Sequence, residues 1–457
     1  MTRKQPQPSR PGQIRVMDLF AGAGGFSTGF SHYTPRSGVN PFTSVAAVEF
    51  DPAAASTYAA NFGGAHVYPG DIAGFDPTPF KGEVDVIMGG PPCQGFSGLG
   101  KQNPDDPRNE LWQEYVRVVA RVHPKVFVIE NVDRFLKSPQ FEDLRTASQT
   151  PGHPLYDYTV VPALLNAADY GVPQARRRVI VICTRKDLGE VLRHPEPTHA
   201  KHGHTDGPDT DGPDTDGADT ASGFPRGDGA GDRAGTGTDP KRQTSLFDAP
   251  PTLPRWEPVS TVFERSAKRP LLDRMPEPRG GEPALVNGVQ GHHLTTDLHF
   301  GRSPEDLSRA RYKAIPENGN RKDLRGVHYR LDRSGNIRLS TEGPDYKRLK
   351  GPEFYLSTES WDNHNSGSGD VMGRLRAHTP SVTIRTEFYK PEKGRYLHPT
   401  ADRPITHYEA ALIQGFPEDF KWYGTKIQIA RQIGNAVPVG LGTALAGAIH
   451  AFLARHM

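Results

Sequence analysis

Cys93 is one of two cysteines in a chain of 457 residues, and it stands in Gly89-Gly90-Pro91-Pro92-Cys93-Gln94-Gly95-Phe96-Ser97, directly after the apolar run Val84 to Met88. Two consecutive prolines fix φ at about −65° and remove two backbone donors, so the chain leaves the run in a stiff turn. The flanking glycines leave room for a ligand. A thiol presented at a strand end in this way suits a nucleophile, whereas a lone cysteine without such flanks is usually an inert core residue. Cys183, inside Val179-Ile180-Val181-Ile182-Cys183, fits that second description. Two cysteines cannot build a disulfide framework, and neither has metal-ligand spacing, so no metal is expected.

Three further segments could supply chemistry beside Cys93. The first is Asp18-Leu19-Phe20-Ala21-Gly22-Ala23-Gly24-Gly25-Phe26-Ser27, a glycine-rich turn that follows an apolar run. Such a turn lets the backbone approach a ligand with free N–H groups. The next run ends in Glu49-Phe50-Asp51, where an acid can hold a ribose diol and an aromatic ring can stack on a base. Asp71, in Pro69-Gly70-Asp71-Ile72, could accept from an adenine amine. No Lys-Ser/Thr pair follows the glycines, so a nucleoside cofactor fits better than a nucleoside triphosphate. The second segment, Glu130-Asn131-Val132, places a carboxylate after another apolar run, on the sheet edge that carries Cys93; read alone, it could equally cap a helix or face solvent. The third is Gln174-Ala175-Arg176-Arg177-Arg178, where strand geometry puts Arg176 and Arg178 on one side, suited to a phosphate or a carbonyl oxygen.

The elements that must position these groups are legible between Ile14 and Arg185. Short apolar runs at Ile14 to Phe20, Ser44 to Phe50, Val84 to Met88, Val126 to Ile129 and Arg178 to Thr184 alternate with helical stretches. Leu111, Tyr115, Val118, Val119 and Val122 recur at helical spacing. The pattern predicts a doubly wound α/β domain with a mostly parallel sheet. From His199 the composition shifts to Thr-Asp-Gly-Pro-Asp repeats with almost nothing apolar before Leu246, which predicts a disordered acidic tether. Residues 255 to 400 hold 25 Lys+Arg against 19 Asp+Glu, an excess that could face phosphates, in a loop-rich smaller domain. Helices are expected again from Thr406 to Ile413 and from Val439 to Leu453. Hydrophobic content of 35% supports real cores, and no run is long enough to cross a membrane. The N-terminal residues read as a disordered tail and not a secretory signal, so a cytoplasmic protein is expected.

Taken together, Pro-Pro-Cys-Gln, Glu-Asn-Val and Gln-x-Arg-x-Arg make the chain resemble the DNA (cytosine-5) methyltransferases of prokaryotic restriction-modification systems. Glu409 with Gln414-Gly415-Phe416-Pro417, and Gln432 to Pro438, match in the same order. The resemblance implies a Rossmann-like methyltransferase sheet with a second, smaller DNA-recognition domain. It implies S-adenosyl-L-methionine as cofactor, held by Phe20, Ala21, Gly22, Gly24, Gly25, Phe26, Glu49, Phe50, Asp71, Ile72, Pro91, Asn435, Ala436 and Val437. It gives Cys93 the nucleophilic attack on carbon 6 of a flipped-out cytosine, Glu130 the ring nitrogen, and Arg176 and Arg178 the base carbonyl and adjacent backbone. Gln94, Ser97 and Lys101 would lie on a mobile loop that closes over the base. The family commonly has Arg where this chain has Tyr408, which bears on how the domains lock together and not on the chemistry.

The expected organisation is a tail at 1–12, a catalytic domain at 13–198, the tether at 199–254, a target recognition domain at 255–402, and a hinge with a return to the catalytic domain at 403–457. Double-stranded DNA is the expected partner of a nucleoid-associated bacterial monomer, alongside a cognate restriction endonuclease. Gln243-Thr244-Ser245-Leu246-Phe247 also resembles the short peptides by which bacterial proteins dock on the DNA sliding clamp. Two other readings fit parts of the sequence. A tRNA cytosine methyltransferase would share the motifs but has a small insert, and a catalytically dead DNA-binding regulator would be free to lose Cys93, Glu130 and Arg178.

Overall fold

Strand pairing organises the molecule around one seven-stranded sheet. The computed structural model describes residues 12–92, 108–201, 253–276, 296–364 and 370–456. The strands are β1 (Ile14–Leu19), β2 (Phe42–Glu49), β3 (Val67–Pro69), β4 (Val86–Gly89), β5 (Val126–Asn131), β6 (Tyr158–Asn166) and β7 (Arg177–Arg185), in the order β3-β2-β1-β4-β5-β7-β6. The first five run parallel, and β7 is antiparallel to both β5 and β6. All five expected strands are present, and two were not anticipated. β3 is too short to carry a period, and β6 is an edge strand containing Pro162, with Leu164 exposed.

Both faces of the central strands are buried, which explains why they read as continuous apolar runs. Phe127, Ile129, Val179, Val181 and the buried Cys183 pack with Trp112, Tyr115 and Val119 of α3 (Arg108–Val122). Val126, Val128, Ile180 and Ile182 face the other way, against Phe26 and Phe30 of α1 (Gly25–His32) and Leu441, Leu445 and Ile449 of α11 (Val439–Leu453). Helix α11 thus completes this layer, with the Thr443 hydroxyl donating to the Gly29 carbonyl over 3.1 Å. Helices α2 (Pro52–Phe62) and α4 (Pro139–Ala147) follow β2 and β5.

Residues expected as one small domain divide between two cores. Tyr312, Leu324, Tyr329, Leu339 and Leu356 form a separate core. Its elements are α6 (Asp306–Ala314), the antiparallel β8 (His328–Leu331), β9 (Ile337–Leu339) and β10 (Phe354–Tyr355), α7 (Pro344–Lys347) and α8 (Glu359–Asn363). By contrast α5 (Ser260–Ser266), with Leu298 and Phe300, packs on α9 (His407–Ile413) and α10 (Lys426–Asn435). The segment expected as a tether between domains begins and ends in one place. The Ala200 amide donates to the Pro254 carbonyl, and the Trp256 amide donates to the Ala200 carbonyl, both over 2.9 Å. The indole of Trp256 is fixed by Asp169 at 2.9 Å.

Candidate active site

The carboxyl ends of β1, β2, β4 and β5 open into a cavity of about 1210 Å³. After β1 the chain turns through Phe20 and Gly22, both at positive φ, and enters α1 at Gly25. Here the absence of a side chain is required: a Cβ on Gly25 would lie 2.5 Å from the Val437 carbonyl oxygen, so the 435–437 segment closes directly over the turn. Glu49 binds the turn from the neighbouring strand, accepting from the Gly22 amide and the Asp51 amide at 2.8 Å each. Burial raises its carboxyl above the usual range, and these N–H donors offset part of the shift. Phe50 projects into the opening with 71% of its surface exposed. Asp71 caps the turn Ile72–Gly74 and Ile72 is buried beside it.

Asp18, for which sequence reading assigned no role, also lines this end. Burial, with Glu49 adding repulsion and the Ser27 hydroxyl opposing both, raises its carboxyl to about 7. Ser27 donates to it over 2.7 Å and lies 2.8 Å from the Tyr58 hydroxyl. The only signal in sequence was its place at the end of an apolar run.

The β4 turn is described as far as Pro92; Cys93, Gln94, Ser97 and Lys101 lie outside the described residues. Asn131 grips this turn, its side-chain amide donating to the Pro91 carbonyl over 3.0 Å. Beside it stands Glu130, whose carboxylate pairs with Nε of Arg178 at 2.8 Å. A Cβ on Gly90 would lie 3.0 Å from the Glu130 carboxylate, so the acid and the turn before Cys93 are in contact.

Arg176 and Arg178 do different work. Arg176 is 2% exposed and spends its terminal nitrogens on the Ile384 carbonyl (2.9 Å) and the Gly434 carbonyl (3.0 Å). Burial, with Arg178 nearby, lowers its guanidinium to about 9. Gln174 joins the same buried network, accepting from the Ile384 amide and donating to Gln414, each over 2.8 Å. Gln414 in turn donates to the Ile433 carbonyl over 2.6 Å. This network ties segment 381–386 of the smaller half to β7, α9 and α10. Sequence reading placed Arg176 on the base; its geometry is that of a clamp between chain segments.

Charge divides the cavity. Asp18, Glu49, Asp51, Asp71 and Glu114 come from the ends of β1 to β3 and from α3, whereas Arg134, Arg176, Arg178, Arg385 and Arg431 come from after β5, the start of β7, segment 381–386 and α10. An acidic end suits a cation with hydroxyl and amino groups, and a basic end suits phosphodiesters.

Comparison with known proteins agrees with this arrangement. The family model of the C-5 cytosine-specific DNA methylases matches residues 14–218 and 304–451. The type II methyltransferase M.XorII of Xanthomonas oryzae pv. oryzae is 32% identical over 442 residues, covering 95% of this chain and 84% of that protein. M1.HphI of Haemophilus parahaemolyticus is 29% identical over 446 residues, covering 95% and 86%. Among solved structures, an E. coli prophage protein described as a DNA modification methyltransferase superposes with a TM-score of 0.56 at 21% identity, covering 97% of this chain and all of that one; it supports the fold. The chain therefore belongs to the C-5 cytosine-specific DNA methylase family, and it transfers a methyl group from S-adenosyl-L-methionine to carbon 5 of cytosine in DNA.

Proposed function

We propose that Cys93 is the nucleophile of this transfer, with Glu130 and Arg178 holding the extruded cytosine and Asn131 positioning the turn that presents the thiol. The observation that carries the reading is the Glu130–Arg178 pair packed against Gly90, with Asn131 holding Pro91, in the turn that leads to Cys93. Carbon 5 of cytosine is a weak nucleophile. The Cys93 thiolate adds to carbon 6, the 5,6 double bond opens, and its electron pair becomes available at carbon 5. Glu130 holds a proton at the ring nitrogen so that negative charge does not accumulate on the ring. Arg178 donates to the base carbonyl oxygen. S-adenosylmethionine, when bound, supplies the electrophilic methyl group. A base then removes the carbon 5 proton, the double bond re-forms, and the thiolate leaves.

The acidic end of the cavity is the place for the methyl donor. Glu49 is oriented for a diol, the Phe50 ring is open for stacking, and Asp71, Ile72 and Pro91 with Asn435, Ala436 and Val437 bound the remaining walls. Of the five carboxylates at that end only Glu114 is matched by an arginine, Arg117 at 2.6 Å, so the remaining four leave an acidic surplus that suits a cationic ligand. Arg176 serves as a positioning residue, holding Ile384 and Gly434 around the base end.

We further propose that methylation protects host DNA in a restriction-modification system, as the type II names of the relatives support. A monomer is the working state in this reading. The Gln243 to Phe247 peptide, outside the described residues, would dock the enzyme on a sliding clamp. A labelled peptide spanning it should saturate purified clamp at tens of micromolar or below, and absence of saturation rejects the docking. Methylome sequencing of cells expressing the wild type and Cys93→Ala tests the enzymatic reading. A cysteine-dependent 5-methylcytosine pattern at one short DNA sequence supports it, and methylation persisting in Cys93→Ala or confined to tRNA overturns it.

A further inference from the structure

Two of the five arginines lining the cavity are already engaged, Arg178 with Glu130 and Arg176 with two buried carbonyls. The other three, Arg134, Arg385 and Arg431, are exposed, and among the described residues no carboxylate lies within ion-pair distance of any of them. They come from three separate elements: the short turn Asp133–Lys137 after β5, segment 381–386, and α10. The last two abut backbone to backbone, since a Cβ on Gly434 would lie 2.5 Å from the carbonyl carbon of Arg385. Arg385 and Arg431 therefore occupy adjoining walls, with Arg134 just beyond β5, the strand that carries Glu130. The carboxylate that feels Arg431 at longer range, Glu387, is already paired with Lys390. Three guanidinium groups around one opening repel one another, and a polyanion relieves that repulsion while releasing its own counterions.

An extruded nucleotide enters such a cavity base first, so the phosphates on either side of it stay at the opening. We infer that Arg134, Arg385 and Arg431 hold the target-strand phosphates flanking the extruded nucleotide. The inference rests on Glu130 and Arg178 marking the base end. Phosphate contacts of this kind fix register and orientation and carry no sequence information. Their loss weakens binding to any DNA sequence alike and leaves methyl-donor affinity unchanged.

The test is fluorescence anisotropy of a fluorescein-labelled duplex about 30 base pairs long, titrated with the full-length protein between about 50 and 200 mM salt. Each Arg→Ala substitution should reduce the slope of log affinity against log salt by about 0.9, and the triple variant by about 2.7. Arg→Lys at the same positions should restore the slope, because a lysine still neutralises a phosphate. Calorimetric titration with S-adenosylmethionine should give the wild-type affinity within about twofold for all of them, since the donor binds at the acidic end. A triple variant with the wild-type slope overturns the inference, as does a loss of donor affinity in place of the slope. Glu130→Gln separates the two readings. It should abolish methylation and leave the slope intact; if it methylates at the wild-type rate, the base end was misassigned, whatever the arginines do.

Discussion

Replacing Asn131 by Ala removes the donor that holds the Pro91 carbonyl two residues before Cys93. Displacing a reacting group by about 1 Å can cost on the order of 100-fold in rate. Asn131→Ala should therefore lower kcat roughly 10- to 100-fold with DNA affinity near wild type, and Asn131→Asp should behave alike, because a carboxylate cannot donate. Steady-state kinetics beside direct DNA binding check this; a parallel loss of both would assign Asn131 to folding alone. Asp18 gives a pH prediction. Its folded carboxyl titrates at about 7, above the unfolded value of about 3.9, so between those values the native state holds the extra proton and stability falls as pH rises. Asp18→Asn should raise the melting temperature of the ligand-free protein at pH 8 and leave it unchanged near pH 4. An equal shift at both would contradict the assignment. Cys93 and Glu130 were legible as candidates because proline, glycine and strand-end position mark them locally. The clamp role of Arg176 was not, since its partners Ile384 and Gly434 lie more than 200 positions away.

The element on which the two halves meet is α9. Its Glu409 is fully buried, accepts from both terminal nitrogens of Arg403 at 2.8 and 2.7 Å, and takes the Ser266 hydroxyl of α5 at 3.0 Å. Burial alone would raise its carboxyl, but Arg403 holds it below the usual range. Glu409→Ala leaves Arg403 without its partner and should destabilise the protein by about 3–5 kcal/mol in denaturant unfolding, with Glu409→Gln milder. His407 and His398 around this helix are held neutral by burial, each lowered to about 4. Their folded values lie below the unfolded value of about 6.5, so this part of the stability is present above pH 6.5 and is lost as pH falls toward 4. That is opposite in sign to Asp18, and melting curves of His407→Phe against wild type from pH 4 to 7 should show the acid-side loss reduced. Tyr408, where the family commonly has Arg, is buried, and Arg265 of α5 with Arg269 just beyond its end binds Glu418 at 3.0 and 2.9 Å. Helix α9 itself was readable from Thr406 and Glu409, which form a capping box. Its cover, α5, was not, because its seven residues have no side-chain cap to mark their start.

At the scale of the whole molecule, the parallel sheet was legible because burial on both faces gives unbroken apolar runs, and α11 because its apolar side is continuous. The smaller half was not, since its elements of two to nine residues are held by long-range contacts such as Arg374 with the Ile315, His398 and Tyr312 carbonyls. Among the described residues no single helix is long and apolar enough to cross a membrane. Ala200 and Arg255 pair directly, so the described residues on either side of 202–252 lie side by side. Replacing them with a short Gly-Ser turn should leave the melting temperature and the methylation rate unchanged and abolish any clamp binding; a collapse of the methylation rate would show that the segment serves the catalytic cycle. The central claim concerns Cys93, and a DNA duplex carrying 5-fluorocytosine at the methylated position tests it most directly. Fluorine cannot be removed as a proton can, so the Cys93–carbon 6 bond should persist after methyl transfer. The account predicts a protein–DNA adduct stable in denaturing gels, mapping by peptide mass to Cys93 and missing in Cys93→Ser. An adduct formed equally by Cys93→Ser, or wild-type methylation of ordinary DNA by that variant, would contradict it.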